Sequence, residues 1–118
     1  MSTDSKIKLD LVDEYNGYKI YKKRELEKPS GDETKLFFRA TKGEDSYRFF
    51  VIIANFYQHW FNKDLEVNLA NIGTKLVKLH LKRNNFVEEI YIRPENTETS
   101  QLLSPEEYTK LVDEELNN

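Results

Sequence analysis

The stretch KLFFRATKGEDSYRFFVII, residues 35–53, decides the fold. Its first half sets Leu36, Phe38 and Ala40 on one parity and Lys35, Phe37 and Arg39 on the other. Its second half sets Tyr47, Phe49, Val51 and Ile53 against Arg48 and Phe50. Aromatic and β-branched residues at period two, on either side of Gly43-Glu44-Asp45, predict an antiparallel hairpin. Towards the N-terminus, Lys28-Pro29-Ser30-Gly31-Asp32 breaks the pattern, and Tyr18–Leu26 alternates again behind an Asn16-Gly17 turn signal. Residues 1–14 alternate only weakly, through Ile7, Leu9 and Leu11, and read as an N-terminal arm or edge strand.

Towards the C-terminus the pattern is less uniform. Asn55–Lys63 fits either an extension of the preceding strand or a short helix pairing Phe56 with Trp60, four residues apart. Residues 64–73 read as a connector with some strand character. Residues 75–82 alternate, with Val77, Leu79 and Leu81 against Lys78, His80 and Lys82. Arg83-Asn84-Asn85 turns the chain, and Phe86–Ile92 is expected to return as the second strand of a closing hairpin that Pro94 ends. Residues 95–103 form a polar linker. Ser104-Pro105-Glu106-Glu107 then carries the marks of a helix start, with Ser as N-cap, Pro in the first turn and Glu placed to reach back. Leu103 and Tyr108 sit at staple positions, and Tyr108, Leu111, Val112 and Leu116 make a narrow apolar stripe to about residue 116. The expected fold is mainly β: a small, strongly bent five-stranded antiparallel barrel over residues 1–94, with a short mid-chain helix as an option. Residues 95–118 follow as an acidic linker and a C-terminal helix or tail.

The composition bounds what such a domain can do. The chain has 118 residues, 18 Lys and Arg against 21 Asp and Glu, and no cysteine. That length fits one core. The missing cysteine removes disulfides, thiolate nucleophiles and sulfur-ligated zinc. Met1–Asp10 is polar, so no secretory signal is expected. No apolar run approaches the roughly 20 residues of a membrane helix. The expectation is a cytoplasmic protein. The net charge of −3 is unevenly spread. Residues 95–118 hold seven acids and one base, Lys110, whereas residues 1–94 hold 17 bases and 14 acids. A basic body carries an acidic extension.

Enzymatic readings fail on inventory. His59 and His80 are the two imidazoles, neither beside a carboxylate at triad or ligand spacing. Four glycines build no phosphate loop. The acid pairs Asp13-Glu14 and Glu88-Glu89 are of a type that binds a divalent metal, but successive strand residues point to opposite faces, so Glu88 and Glu89 are no pair in space, and these acids read as solvated edges. No catalysis and no metal or organic cofactor is expected.

The parity that buries Leu36, Phe38, Phe49 and Val51 sends another set to the opposite face. That face reads Lys19-Tyr21-Lys23, Lys35-Phe37-Arg39 and Arg48-Phe50 on adjacent strands, with no acid inside those sets. Every unpaired base offers a π-face, so Tyr21, Phe37 and Phe50 are candidate stacking residues, with Trp60 a further one. Lys19, Lys23, Lys35, Arg39 and Arg48 are candidate phosphate contacts. Duplex DNA fits less well, because its bases are already stacked and no recognition helix is apparent. The same face also fits packing under the N-terminal arm or terminal helix, or an interface between copies.

This arrangement resembles the OB-fold single-stranded-DNA-binding proteins, particularly the compact versions encoded by bacteriophages. The resemblance rests on the meander of Tyr18–Leu26, Lys35–Thr41 and Ser46–Ile53, the expected closing hairpin over Gly73–Ile92, and the acidic ending Asp113-Glu114-Glu115. It implies an OB-like barrel without catalysis, a dimer or tetramer, and protection of single strands in replication or recombination. It also implies the stacking roles named for Tyr21, Phe37 and Phe50. Bacterial members end in an acidic stretch capped by Pro-Phe that docks replication and repair proteins; this chain ends in Leu-Asn-Asn. The rival reading is a small protein-binding module, such as a phage inhibitor of a host protein, using the same aromatic face or the acidic extension.

Overall fold

The computed structural model describes residues 8–27, 32–54, 57, 65–96 and 101–118. The elements run β1 (Leu9–Tyr15), β2 (Tyr18–Lys23), β3 (Glu33–Lys42), β4 (Asp45–Ala54), α1 (Leu65–Lys82), β5 (Glu89–Tyr91), β6 (Glu95–Asn96), β7 (Gln101–Leu102) and α2 (Pro105–Asn117). Strands β1 to β4 form the antiparallel meander that the alternation demands, with Phe38 opposite Phe49 and Phe37 opposite Phe50. Both hairpin turns follow from local chemistry. Asn16 (φ 50°) and Gly17 (φ 85°) are both left-handed, the requirement of a two-residue turn whose twist matches the strands. Gly43 supplies the single positive φ, 63°, of the β3–β4 turn.

One face of this meander is the core. Ile20, Leu36, Phe38, Ala40, Phe49, Val51 and Ile53 have no exposed surface, and α1 lies across them. The helix comes so close at Gly73 that a Cβ there would sit 2.8 Å from Cε1 of Phe38. His80, further along α1, meets the Phe49 ring edge-on at 6.5 Å between centroids, and its Nδ1–H donates to the Leu76 carbonyl at 2.9 Å.

Three expectations are corrected here. Residues 65–82 are a helix, not a connector followed by a strand. Leu69, Ile72, Leu76 and Leu79 recur at helical spacing and are all buried. Val77 and Leu81 are buried as well, and that widened apolar arc produced the apparent alternation over 75–82. The turn at Arg83-Asn84-Asn85 is therefore a helix end. Asn84 is left-handed (φ 52°), its N–H donates to the Leu81 carbonyl at 3.1 Å, and the Asn85 N–H donates to the His80 carbonyl at 2.9 Å. These two bonds define a Schellman cap.

The last strand is the third correction. With a helix between them, β4 and β5 pair in parallel, Phe50 beside Glu89 and Ile52 beside Tyr91. The sheet is mixed, in the order β1-β2-β3-β4-β5, and its ends do not pair among the described residues, so it is an open sheet and not a closed antiparallel barrel. Strands β6 and β7 form a separate small hairpin. The option of a helix over Asn55–Lys63 falls almost wholly outside the described residues, where Tyr57 alone is placed and is buried.

Helix α2 starts as its sequence requires. The Ser104 hydroxyl accepts from the Glu107 N–H at 3.1 Å, and the Glu107 carboxylate accepts from the Ser104 N–H at 2.9 Å. The helix docks on α1 through buried Val112. Lys75 pairs with Asp113 at 2.6 Å, and Arg83 pairs with Glu115. The Lys82 ammonium donates to the carbonyls of Glu115, at 2.6 Å, and of Leu116 and Asn118, so a cation closes the negative end of the helix. The acidic extension is thus a docked helix whose charges meet those of α1. No helix among the described residues is long and apolar enough to cross a membrane.

Candidate nucleic-acid interface

Because α1 takes the Phe38 and Phe49 face, the pleat leaves the opposite face without a helix among the described elements. The strand register lays its side chains out in rows. Tyr21 stands opposite Arg39, and Arg39 opposite Arg48. In the next row Phe37 faces Phe50, with Glu89 beyond it on β5. Lys35 then faces Ile52, with Tyr91 beyond. At the other end Lys19 lies between Glu14 of β1 and Thr41 of β3.

The structure brings eight of the nine expected residues onto this face, at different depths. Lys19 and Arg48 are exposed, whereas Tyr21, Lys23, Lys35, Arg39 and Phe50 are half-buried. Phe37 is only 7% exposed and packs against Phe50 at 5.2 Å between centroids. Its ring braces its neighbour and offers little free face, so the accessible platform reduces to Tyr21 and Phe50. Trp60 lies outside the described residues.

The cations also differ in how far they are committed. Arg48 pairs with Glu88 at 2.7 Å, and Lys23 with Glu27 at 3.3 Å. Lys19, Lys35 and Arg39 make no ion pair among the described residues. Instead, the Lys35 ammonium lies 5.7 Å from the Phe50 centroid and the Arg39 guanidinium 5.8 Å from that of Phe37. The Nε of Arg39 is buried and has no hydrogen-bond partner among the described residues.

Sequence reasoning missed the β5 margin. Glu88 and Glu89 read as a solvated edge, yet one neutralises Arg48 and the other stands beside Phe50. Tyr91, 39% exposed, adds a ring next to β4, with the Arg93 guanidinium 5.2 Å from its centroid. Partial burial, followed by the carboxylates of Glu33 and Glu89, holds the Tyr91 phenol above its ordinary value. The missing signal was the direction of β5. A hairpin partner and a parallel strand place the same residues beside different neighbours.

A groove of about 880 Å³ lies on the other side of the molecule, between the irregularity in β1 at Val12, α1 and the start of α2. Its principal charges are satisfied internally, Lys75 by Asp113 and Lys78 by Asp13. Hydrogen bonding to Lys78 keeps the Asp13 carboxyl below the usual range. The chain matches no family model, and no curated protein or solved structure matches it either.

Proposed function

We propose that the face of the sheet turned away from α1 binds single-stranded DNA without strong sequence preference. One observation carries the reading: Tyr21 and Phe50 stand half-buried among Lys19, Lys35 and Arg39, which form no ion pair among the described residues. Rings of this kind stack on unpaired bases for about 1–3 kcal/mol each whatever the sequence, and uncommitted cations exchange their counterions for phosphates. The reading needs a flat or curved sheet face and does not depend on barrel closure. In this role the protein covers exposed strands during replication or recombination and carries out no catalysis.

The test is titration with an oligo-dT strand, followed by tyrosine and tryptophan fluorescence at two salt concentrations. Quenching and an affinity that falls steeply with salt are expected; no binding at low salt overturns the proposal. A protein-binding face is the second reading, favoured by the acids that rim the platform, Glu14, Glu27, Glu88 and Glu89. Aromatic residues and Arg among charges of both signs suit a protein interface too, and that reading predicts no response to the oligonucleotide.

A further inference from the structure

Arg39 and Arg48 are direct cross-strand neighbours. Like charges in that position destabilise a sheet, and nothing in the β propensity of arginine compensates. The structure relieves the repulsion on one side only. Glu88 meets the Arg48 guanidinium at 2.7 Å, with both side chains well exposed, whereas the buried Nε of Arg39 has no acceptor among the described residues. Tyr21 completes the row on the far side of Arg39. An anion laid along this row would separate the two positive charges.

We propose that Arg39 and Arg48 form a phosphate seat and that Glu88 is its built-in competitor, released from Arg48 when a phosphate binds. The proposal rests on the single-strand-binding reading for the source of the phosphate, a nucleic-acid backbone; free phosphate shares the chemistry. Planar guanidinium forks suit a phosphate bidentately. The carboxylate that occupies one of them is held by an exposed pair worth little, so a phosphate can displace it. Glu88 then lowers affinity for every strand equally, and keeps the seat from holding weak anions.

The experiment compares Glu88→Gln with the unaltered protein in fluorescence-anisotropy titrations of labelled oligo-dT across a salt series. Glu88→Gln is expected to bind roughly twofold to fivefold more tightly at low salt, the worth of one exposed ion pair. Its log–log salt slope should steepen by about 0.7, one additional single-strand phosphate. The gain should vanish in an Arg48→Gln background. A second arm follows the Arg39 Nε–H resonance by NMR while inorganic pyrophosphate is added, and expects a saturable shift that Arg48→Gln weakens. Oligo-dT binding that Glu88→Gln leaves unchanged overturns the competitor while the single-strand reading stands. A pyrophosphate shift without oligo-dT binding supports the seat and removes DNA as its source. No shift and no binding overturn both.

Discussion

Phe37 and Phe50 share a parity, a face and a contact, and yet they do different work. Phe37 is 7% exposed and Phe50 is half-buried. Truncating a buried Phe costs about 3–5 kcal/mol, because the transfer energy is lost and a cavity is left. Phe37→Ala should therefore lower the urea midpoint strongly. Phe50→Ala should leave a well-folded protein whose affinity for oligo-dT falls by about 1–3 kcal/mol, the worth of one stacked base. The reverse pattern, with Phe50 the costlier loss in stability, would contradict the depth assigned to each ring. Parity alone placed both rings on one side of the sheet. It could not give their depth, which depends on how β3 and β4 bend and on what packs around each ring.

At the scale of elements, legibility followed locality. The turns at Asn16-Gly17 and Gly43 and the cap at Ser104 are decided by residues within a few positions of one another, and all formed as the sequence required. Helix α1 was illegible for a physical reason. It is buried by the sheet along Leu69, Ile72 and Leu76 and approached by α2 along Lys75 and Lys82, so its apolar arc is wide enough to imitate a strand. Helix α2 is also sensitive to alkali. Burial pushes the Tyr108 phenol up to about 12, against an ordinary 10.0. The folded state holds that proton more tightly than the unfolded state, so the stabilisation is complete below pH 10 and is lost as pH rises towards 12. Absorbance titration of the seven tyrosines should show one phenol ionising last, near pH 12, together with loss of helix signal. Tyr108→Phe should remove that late step and flatten stability over the same range.

At the scale of the molecule, the division of charge was legible and its disposition was not. The acidic ending was visible in the sequence, but its docking against Lys75, Lys82 and Arg83 depends on α1 being a helix. The candidate face was legible because it depends on alternation within β2, β3 and β4. Its acid margin was not, because Glu88 and Glu89 reach it only through the parallel pairing of β5. That parallel step also imposes an order of assembly. Strands β1 to β4 each pair with their neighbour in sequence, whereas β5 can add only after the long chain excursion that contains α1 has folded back, and such non-local closure is slow. Native-state hydrogen exchange should show the bonds that hold β5, from the Phe50 N–H to Glu88 and from the Ile92 N–H to Ile52, opening before those between β3 and β4. Equal protection of the two sets would refute this. A newly made chain would then pass through a stage in which the meander is complete and Arg48 still awaits its carboxylate, so under the proposed reading its adhesion towards polyanions would peak before folding is finished.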